Sequence, residues 1–471
     1  SGPNEISDWT DLDDIRNDLD ADYVLVNDLN ETTPGYETVA SPNANGGKGF
    51  DPIGGFNESF DGQENRIANL SINRPNKTSV GLFGDTSGSA VIENVILTGA
   101  TVDGFKYVGG LVGGNNGMVS NSSASGNVTG SYDGFIGRVG GLVGDNEGTV
   151  SNSSASGNVT GFKGVGGLIG YNNETVSNSS ASATVNGELS FDAAGGLVGY
   201  NTGTVSNSSA GGAVPGAHSR VGGLVGVNFR GTVSNSSASA TVNGRFVIGG
   251  LVGSNGGTVS TSSASGAVTG GNSVGGLVGS NGGTVSNSSA SGAVDGDAHV
   301  GGLVGFNDGT VSESFATGAV TGSTDVGALV GVLINPGDEA ILRDSYYDTQ
   351  TTEQQPAVGA ITDGDGTAET RGEMTGFNTT EMQGASAAQN LEALDFTSTW
   401  QTVTAPAGYP ELQAGPPPAA EKGPDIEDTD SDGDGGDGFG PGFGPVVVLA
   451  GLSGAGYLLK RRGTTNDTDA E

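Results

Sequence analysis

Short apolar runs recur along the middle of the chain at a nearly constant interval. The pentapeptide Gly-Gly-Leu-Val/Ile-Gly begins at Gly109, Gly140, Gly166, Gly195, Gly222, Gly249, Gly275 and Gly301. A degenerate copy follows at Gly327-Ala328-Leu329-Val330-Gly331, and an earlier one stands at Gly81-Leu82-Phe83-Gly84. Each unit carries three apolar pieces: Val-Gly-Gly-Leu-Val, Thr-Val-Ser and Ala-Val. Polar corners rich in Asn, Ser and Gly separate them. No repeat shows helical spacing, and β-branched residues bounded by Gly and Asn predict strands.

A unit of some 26 residues with three short strands cannot bury a core alone, but stacked units can. The expected fold is therefore all-β, a parallel β-solenoid of about ten coils, with like residues above like about 4.8 Å apart. Within the unit at 274–300, Val285, Ala290, Ala293 and Val294 are expected inside, together with either Val274 and Val278 or Leu277. Two-residue alternation forbids all three of the last group from facing inward on one straight strand. The same alternation places Asn287 inward with Val285. It predicts a ladder of stacked amides through residues 121, 152, 178, 207, 235 and 287, interrupted by Thr261 and Glu313.

The eight in-register copies resemble the GLUG-motif repeat of bacterial and archaeal surface proteins. The resemblance covers residues 80–332 and implies a surface-displayed protein acting in adhesion or as an envelope component, without enzymatic activity. Residues 1–79 carry Trp9-Thr-Asp-Leu-Asp-Asp-Ile-Arg-Asn-Asp-Leu19 at helical spacing and then Tyr23-Val-Leu-Val26 as a strand. They are expected to cap one end of the solenoid, and residues 333–414 the other, since an open core and edge strand need cover. Glu381-Met-Gln-Gly384 and Tyr409-Pro-Glu-Leu412 resemble the usual tail of such repeat proteins.

Residues 415–440 read as a Pro/Asp/Gly linker, extended by its own charge. Within it Asp428, Asp430 and Asp432 match the first half of a calcium loop. The twelfth position falls on Phe439, where such a loop needs a bidentate Glu, so a solvated acidic spacer is favoured and no cofactor is expected. In residues 441–471, Pro441, Gly442 and Phe443 precede an apolar run, Val446 to Leu459, and then Lys460, Arg461 and Arg462. The run is shorter than the ~20 residues of a comfortable span. This order resembles the PGF-CTERM sorting signal of haloarchaeal surface proteins. It implies cleavage by an archaeosortase and attachment to a membrane lipid, with a retained membrane anchor as the alternative. Either places the repeats outside the cell. The chain starts at Ser1 rather than Met, and a removed leader is expected.

Composition sharpens this picture. Asp and Glu number 53 against 17 Lys and Arg, a net charge of −36. Residues 1–107 carry −12, residues 108–332 carry −6 and residues 333–471 carry −18. Acidic ends around a nearly neutral middle suit a salty medium and argue against nucleic-acid partners. With no Cys and 2 His, disulfides, thiol catalysis and Cys- or His-rich metal sites are excluded.

Candidate chemistry then concentrates in the variable loop before each Gly-Gly pair. Those loops hold Lys106, Arg138, Lys163, Arg220 and Arg245, with Phe105, Tyr107, Tyr132, Phe135, Phe162, Phe191 and Phe246. Only Arg230 among the basic residues of 108–332 lies elsewhere. Stacked in register, these loops would form one ridge able to hold surface glycans, an S-layer or a neighbouring cell. The competing reading pairs the cations with Asp133, Glu188 and Asp192 of the same loops. Fifteen Asn-x-Ser/Thr sequons occur. Asn57, Asn76, Asn127, Asn158 and Asn378 are the candidate glycosylation sites, Asn127 and Asn158 being expected to point outward because each precedes a Val expected in the core. Two other classes stay open. One is a secreted β-helix polysaccharide lyase or hydrolase, with Asp344, Tyr346, Tyr347 and Asp348 as its candidate cluster. The other is a subunit of a self-assembling filament.

Overall fold

The computed structural model describes residues 2–131, 137–187, 193–216, 219–335, 341–354, 356–363 and 374–413. They build a parallel β-solenoid of about ten turns. Three sheets form its faces, of thirteen, twenty-six and eleven strands. In the unit that contains Gly275, the strand Val278–Asn281 lies on the eleven-stranded face. Thr284–Ser286 follows on the thirteen-stranded face, and Ser289–Ala290 and Val294–Gly301 on the large one. Pairing between coils is parallel and residue-for-residue: Val259 lies beside Val285 and Val285 beside Val311. Like residues therefore stack at strand spacing, which is why the sequence repeats so closely.

The interior is narrow. Val285, Ala290 and Val294 are buried as expected, whereas Ala293 is exposed. Val274, Leu277 and Val278 are all fully buried. The alternation argument fails there because the pentapeptide is a corner: one strand ends at Gly275 and the next starts at Val278. The glycines make that corner possible. A Cβ on Gly275 would stand 2.0 Å from the Val278 carbonyl oxygen, and one on Gly276 would stand 2.2 Å from the Gly302 carbonyl oxygen of the next coil.

The amide ladder exists on a different asparagine. Asn287 sits at a left-handed corner with φ 48, and residues 121, 152, 178, 207 and 235, Thr261 and Glu313 occupy the same corner with φ 48 to 51. Their side chains lie at the surface, exposed or half-buried. Asparagine recurs at this corner because its short polar side chain tolerates the left-handed conformation. The buried ladder runs instead through Asn115, Asn146, Asn172, Asn201, Asn228, Asn255, Asn281 and Asn307, the asparagine that closes the eleven-stranded face. From Asn115 to Asn281 each Nδ2 donates to the Oδ1 of the next coil's amide at 2.7–2.8 Å. At the next corner, after the thirteen-stranded face, runs a buried serine column. Ser208 Oγ donates to the Ser206 carbonyl at 2.7 Å and accepts the Ser179 N–H at 3.2 Å. A polar core of this kind is stable only because its donors and acceptors are partnered at every step.

At the N-terminal end, Asn4–Ile6, Tyr23–Leu25 and Ser59–Asp61 extend the thirteen-stranded sheet. Asp8 caps the short helix Trp9–Asp14, which buries Trp9 and Leu12. Large side chains fill the wider core here, with Phe56 and Phe60 packed at 5.1 and 5.3 Å from Phe83. At the other end, Met374–Phe377 pairs with Ser345–Asp348. There the position held by Ser263 and Ser289 in earlier coils is taken by Phe315 and Tyr346, on which Met382, Leu391 and Trp400 pack as a second cluster.

An aromatic and cationic strip along the solenoid

The residue before the Val of each Val-Gly-Gly corner stands outward on the large face. In register this column reads Tyr107, Arg138, Gly164, Ala193, Arg220 and Val247. Across the corner, the residue before each ladder asparagine forms a second column: Asp145, Tyr171, Tyr200 and Val227. The two columns interlock. Where the first is small, at Gly164 and Ala193, the second carries tyrosine.

The result is one stack crossing successive coils. The Lys106 ammonium lies 4.6 Å from the Tyr107 ring centroid. The Arg138 guanidinium sits 5.2 Å from the Tyr107 ring and 3.9 Å from the Tyr171 ring. The Tyr171 and Tyr200 rings are parallel within 5° at 5.3 Å. Phe229 follows at 6.4 Å from Tyr200 and is 46% exposed, with Arg230 stacked on it at 5.1 Å. Phe229 and Arg230 protrude because this corner has one residue more than its neighbour, spanning Asn228 to Gly231 where the previous coil needs only Asn201 to Gly203. Arg230 takes the left-handed conformation at φ 60 to make that turn.

Arg138 is held from below by Asp145, with which it forms an ion pair. Burial pushes the Asp145 carboxyl above its ordinary range, although Arg138 opposes the shift. Its Oδ1 has no hydrogen-bond partner among the described residues. Tyr200 is pushed up as well, first by burial and then by Tyr171.

The single loop ridge takes a different form. In the last units Val268–Gly275, Val294–Gly301 and Val320–Gly327 run as continuous strands where a loop was expected. Lys106, Tyr107 and Arg138 join the strip. Arg220 is exposed in the first column, and Arg245 stacks locally on an exposed Phe246 at 4.8 Å. Phe162 and Lys163 are half-buried. Tyr132, Phe135 and Phe191, and the acids Asp133, Glu188 and Asp192, lie outside the described residues. Sequence reasoning passed over Tyr171, Tyr200 and Phe229, and set Arg230 apart. The signal was an aromatic residue in consecutive copies at the position between Leu-Val/Ile-Gly and Asn.

The other candidate positions divide clearly. Asn76, Asn127 and Asn158 are exposed, and the Asn158 amide donates to Asn127 Oδ1 at 3.0 Å. Asn57 and Asn378 are half-buried and hydrogen-bonded, Asn378 accepting the Glu381 N–H at 3.1 Å. Asp348 is fully buried: one oxygen accepts the Gln350 N–H at 2.8 Å, the other the Tyr409 hydroxyl at 2.7 Å. Asp344 occupies the left-handed corner position at φ 51. Tyr346 accepts the Ala393 N–H at 2.9 Å within the C-terminal cluster. The calcium-loop acids Asp428, Asp430 and Asp432 lie outside the described residues. So do the sorting residues Pro441, Gly442, Phe443, Lys460, Arg461 and Arg462.

Six segments match the GLUG motif: residues 106–129, 137–160, 163–186, 217–243, 270–295 and 296–321. Halomucin of Haloquadratum walsbyi is 46% identical over 82 residues, 17% of this chain and 1% of that protein. A "Putative Gly-rich membrane protein" of Evansella cellulosilytica is 38% identical over 121 residues, 24% of this chain and 13% of that one. The matches thus span a small part of either relative. A solved structure described as a "putative immunoglobulin A1 protease" from Bacteroides ovatus aligns over 88% of this chain and 93% of its own, at 16% identity and a TM-score of 0.28. A likeness that loose carries no argument about activity.

Proposed function

We propose that this chain is a cell-surface repeat protein, an adhesin or structural envelope component, and that its work is presentation rather than catalysis. The observation that carries the reading is the in-register solenoid itself, whose coils differ mainly in the side chains they show outward at one corner. A rod whose core is constant and whose corner varies is suited to repeated contact with another surface. The GLUG repeats and the name of the Evansella relative support a surface or membrane-associated location. The strongly acidic composition and the likeness to halomucin support a saline one. In this reading the acidic linker spaces the rod from the envelope. Archaeosortase processing at the Pro441-Gly442-Phe443 motif, with lipid attachment, tethers it.

The test is display of the full chain on cells that lack it, in high salt, with attachment to cells and to immobilised envelope polysaccharides scored against undisplayed controls. Soluble products are assayed for new chain ends in the same samples. Display-dependent attachment without new ends is expected. New ends would replace this reading with that of a β-helix polysaccharide lyase or hydrolase, and attachment indifferent to display would remove it altogether.

A further inference from the structure

We infer that the strip from Lys106 to Arg230 is a binding site for an anionic linear saccharide, lying along the solenoid axis with its carboxylate or sulfate groups on the arginines. The inference rests on the surface-contact reading and gives it a site and a ligand class.

Charge is the first argument. The chain as a whole carries −36 and repels polyanions. Along the strip Lys106, Arg138, Arg220 and Arg230 outnumber the carboxylates beside them: Asp145 is already paired and sunk beneath Arg138, Glu147 follows it by two residues, and Asp85 heads the same column. An anion approaching this protein meets its complementary field here. Arginine also holds carboxylate and sulfate groups through paired N–H donors, contacts that persist in brine where long-range attraction is screened.

Shape is the second. Tyr107, Tyr171 and Tyr200 are half-buried, and the stack ends on Phe229, 46% exposed with Arg230 stacked on it. Alternating apolar surface and hydroxyls matches the C–H faces and equatorial hydroxyls of a pyranose chain. The coil repeat of ~4.8 Å is close to one pyranose unit, and Tyr171 and Tyr200 on adjacent coils stand 5.3 Å apart, whereas an extended peptide shows like-facing side chains only every ~6.7 Å. An acidic peptide would fall out of step within a few coils.

The test uses the full chain and immobilised polygalacturonate, dextran sulfate, uncharged dextran and poly-glutamate, at low and at molar salt. Arg220→Ser with Arg230→Ser, and separately Phe229→Ser, remove exposed groups that hold up nothing in the core. Arg245→Ser with Phe246→Ser is the control outside the strip. Retention on one or both anionic polysaccharides is expected, with at least a tenfold loss in each strip variant and none in the control. Equal retention on uncharged dextran or on poly-glutamate would overturn the inference, as would equal loss in the control, or no retention. Circular dichroism of every variant separates lost binding from lost fold. If display-dependent cell attachment survives while the strip variants bind like wild type, the site is wrong and the surface reading stands. If attachment fails as well, both fall.

Discussion

At the scale of single residues, the corner after each Thr-Val-Ser strand asks for one backbone conformation and receives different side chains. Thr261 holds φ 48, a region in which a β-branched residue is strained by about 1–3 kcal/mol. Thr261→Asn should therefore stabilise the protein by ~1 kcal/mol, and Asn287→Thr should destabilise it by a like amount, both visible as shifts in a urea midpoint. Tyr409 gives a signature in alkali. Burial, then its hydrogen bond to Asp348, pushes the hydroxyl up to about 12 from 10.0. The folded state then keeps a proton that the unfolded state loses. The stabilisation is complete below pH 10 and disappears as pH rises toward 12. Tyr409→Phe should flatten that part of a pH–stability curve. Asp145 has the same sign at the acid end. With its carboxyl raised by burial, stability falls as pH rises from 3.8 through its folded-state value. Removing Arg138 strands this buried carboxylate, so Arg138→Ala should cost ~3 kcal/mol, and adding Asp145→Ala should recover most of it.

At the scale of elements, the ladders decide register as much as the valines do. Asn201 accepts from Asn172 and donates to Asn228, both at 2.8 Å and both buried. Asn201→Ala leaves a donor and an acceptor unsatisfied and should cost about 3 kcal/mol. Asn307→Leu, at the end of the ladder where the next coil already presents Leu333, should cost far less. Chemical denaturation of the two variants gives the comparison. The sequence also shows how far such elements can be read in advance. The parallel stacking of the units and the buried Val285, Ala290 and Val294 follow from the repeat alone, whereas the three strands expected per unit are four on three faces, the large face taking both Ser289–Ala290 and Val294–Gly301. The choice between Asn281 and Asn287 for the ladder does not, because both recur with the same period. It is settled by where the chain turns, and a left-handed corner at 287 is invisible to alternation arguments. The strip was half legible for a related reason. Lys106, Tyr107 and Arg138 stand out as rare residues in the equivalent loops of successive units, but Tyr171 lies on the next face and meets them only across the Gly-Gly corner.

At the scale of the whole molecule, stability is the sum of coils and of the joints between them. Removing residues 275–300, one complete unit, joins Val274 to Gly301 and brings equivalent residues together again. That deletion should fold, with strand content in circular dichroism reduced in proportion and the strip untouched. Removing half a unit should yield an unfolded or aggregated product, because every later residue would face the wrong neighbour. Length varies most at the corner before the Gly-Gly pair, with one residue more at the Asn228–Gly231 corner, and successive units differ between 26 and 31 residues while all three faces keep register.

The buried amides also give the rod an electrical direction. Backbone carbonyls along a strand point alternately toward the two ends of the solenoid, and their dipoles largely cancel. The ladder amides do not alternate: from Asn115 to Asn281 each N–H points toward the next coil. Aligned head to tail, they add as peptide dipoles add along a helix. The ladder is left with an acceptor pole at Asn115, whose Oδ1 accepts the Thr86 hydroxyl, and a donor pole at Asn307, whose Nδ2 donates to the Gly309 carbonyl. Two such rods lying side by side are better placed antiparallel than parallel.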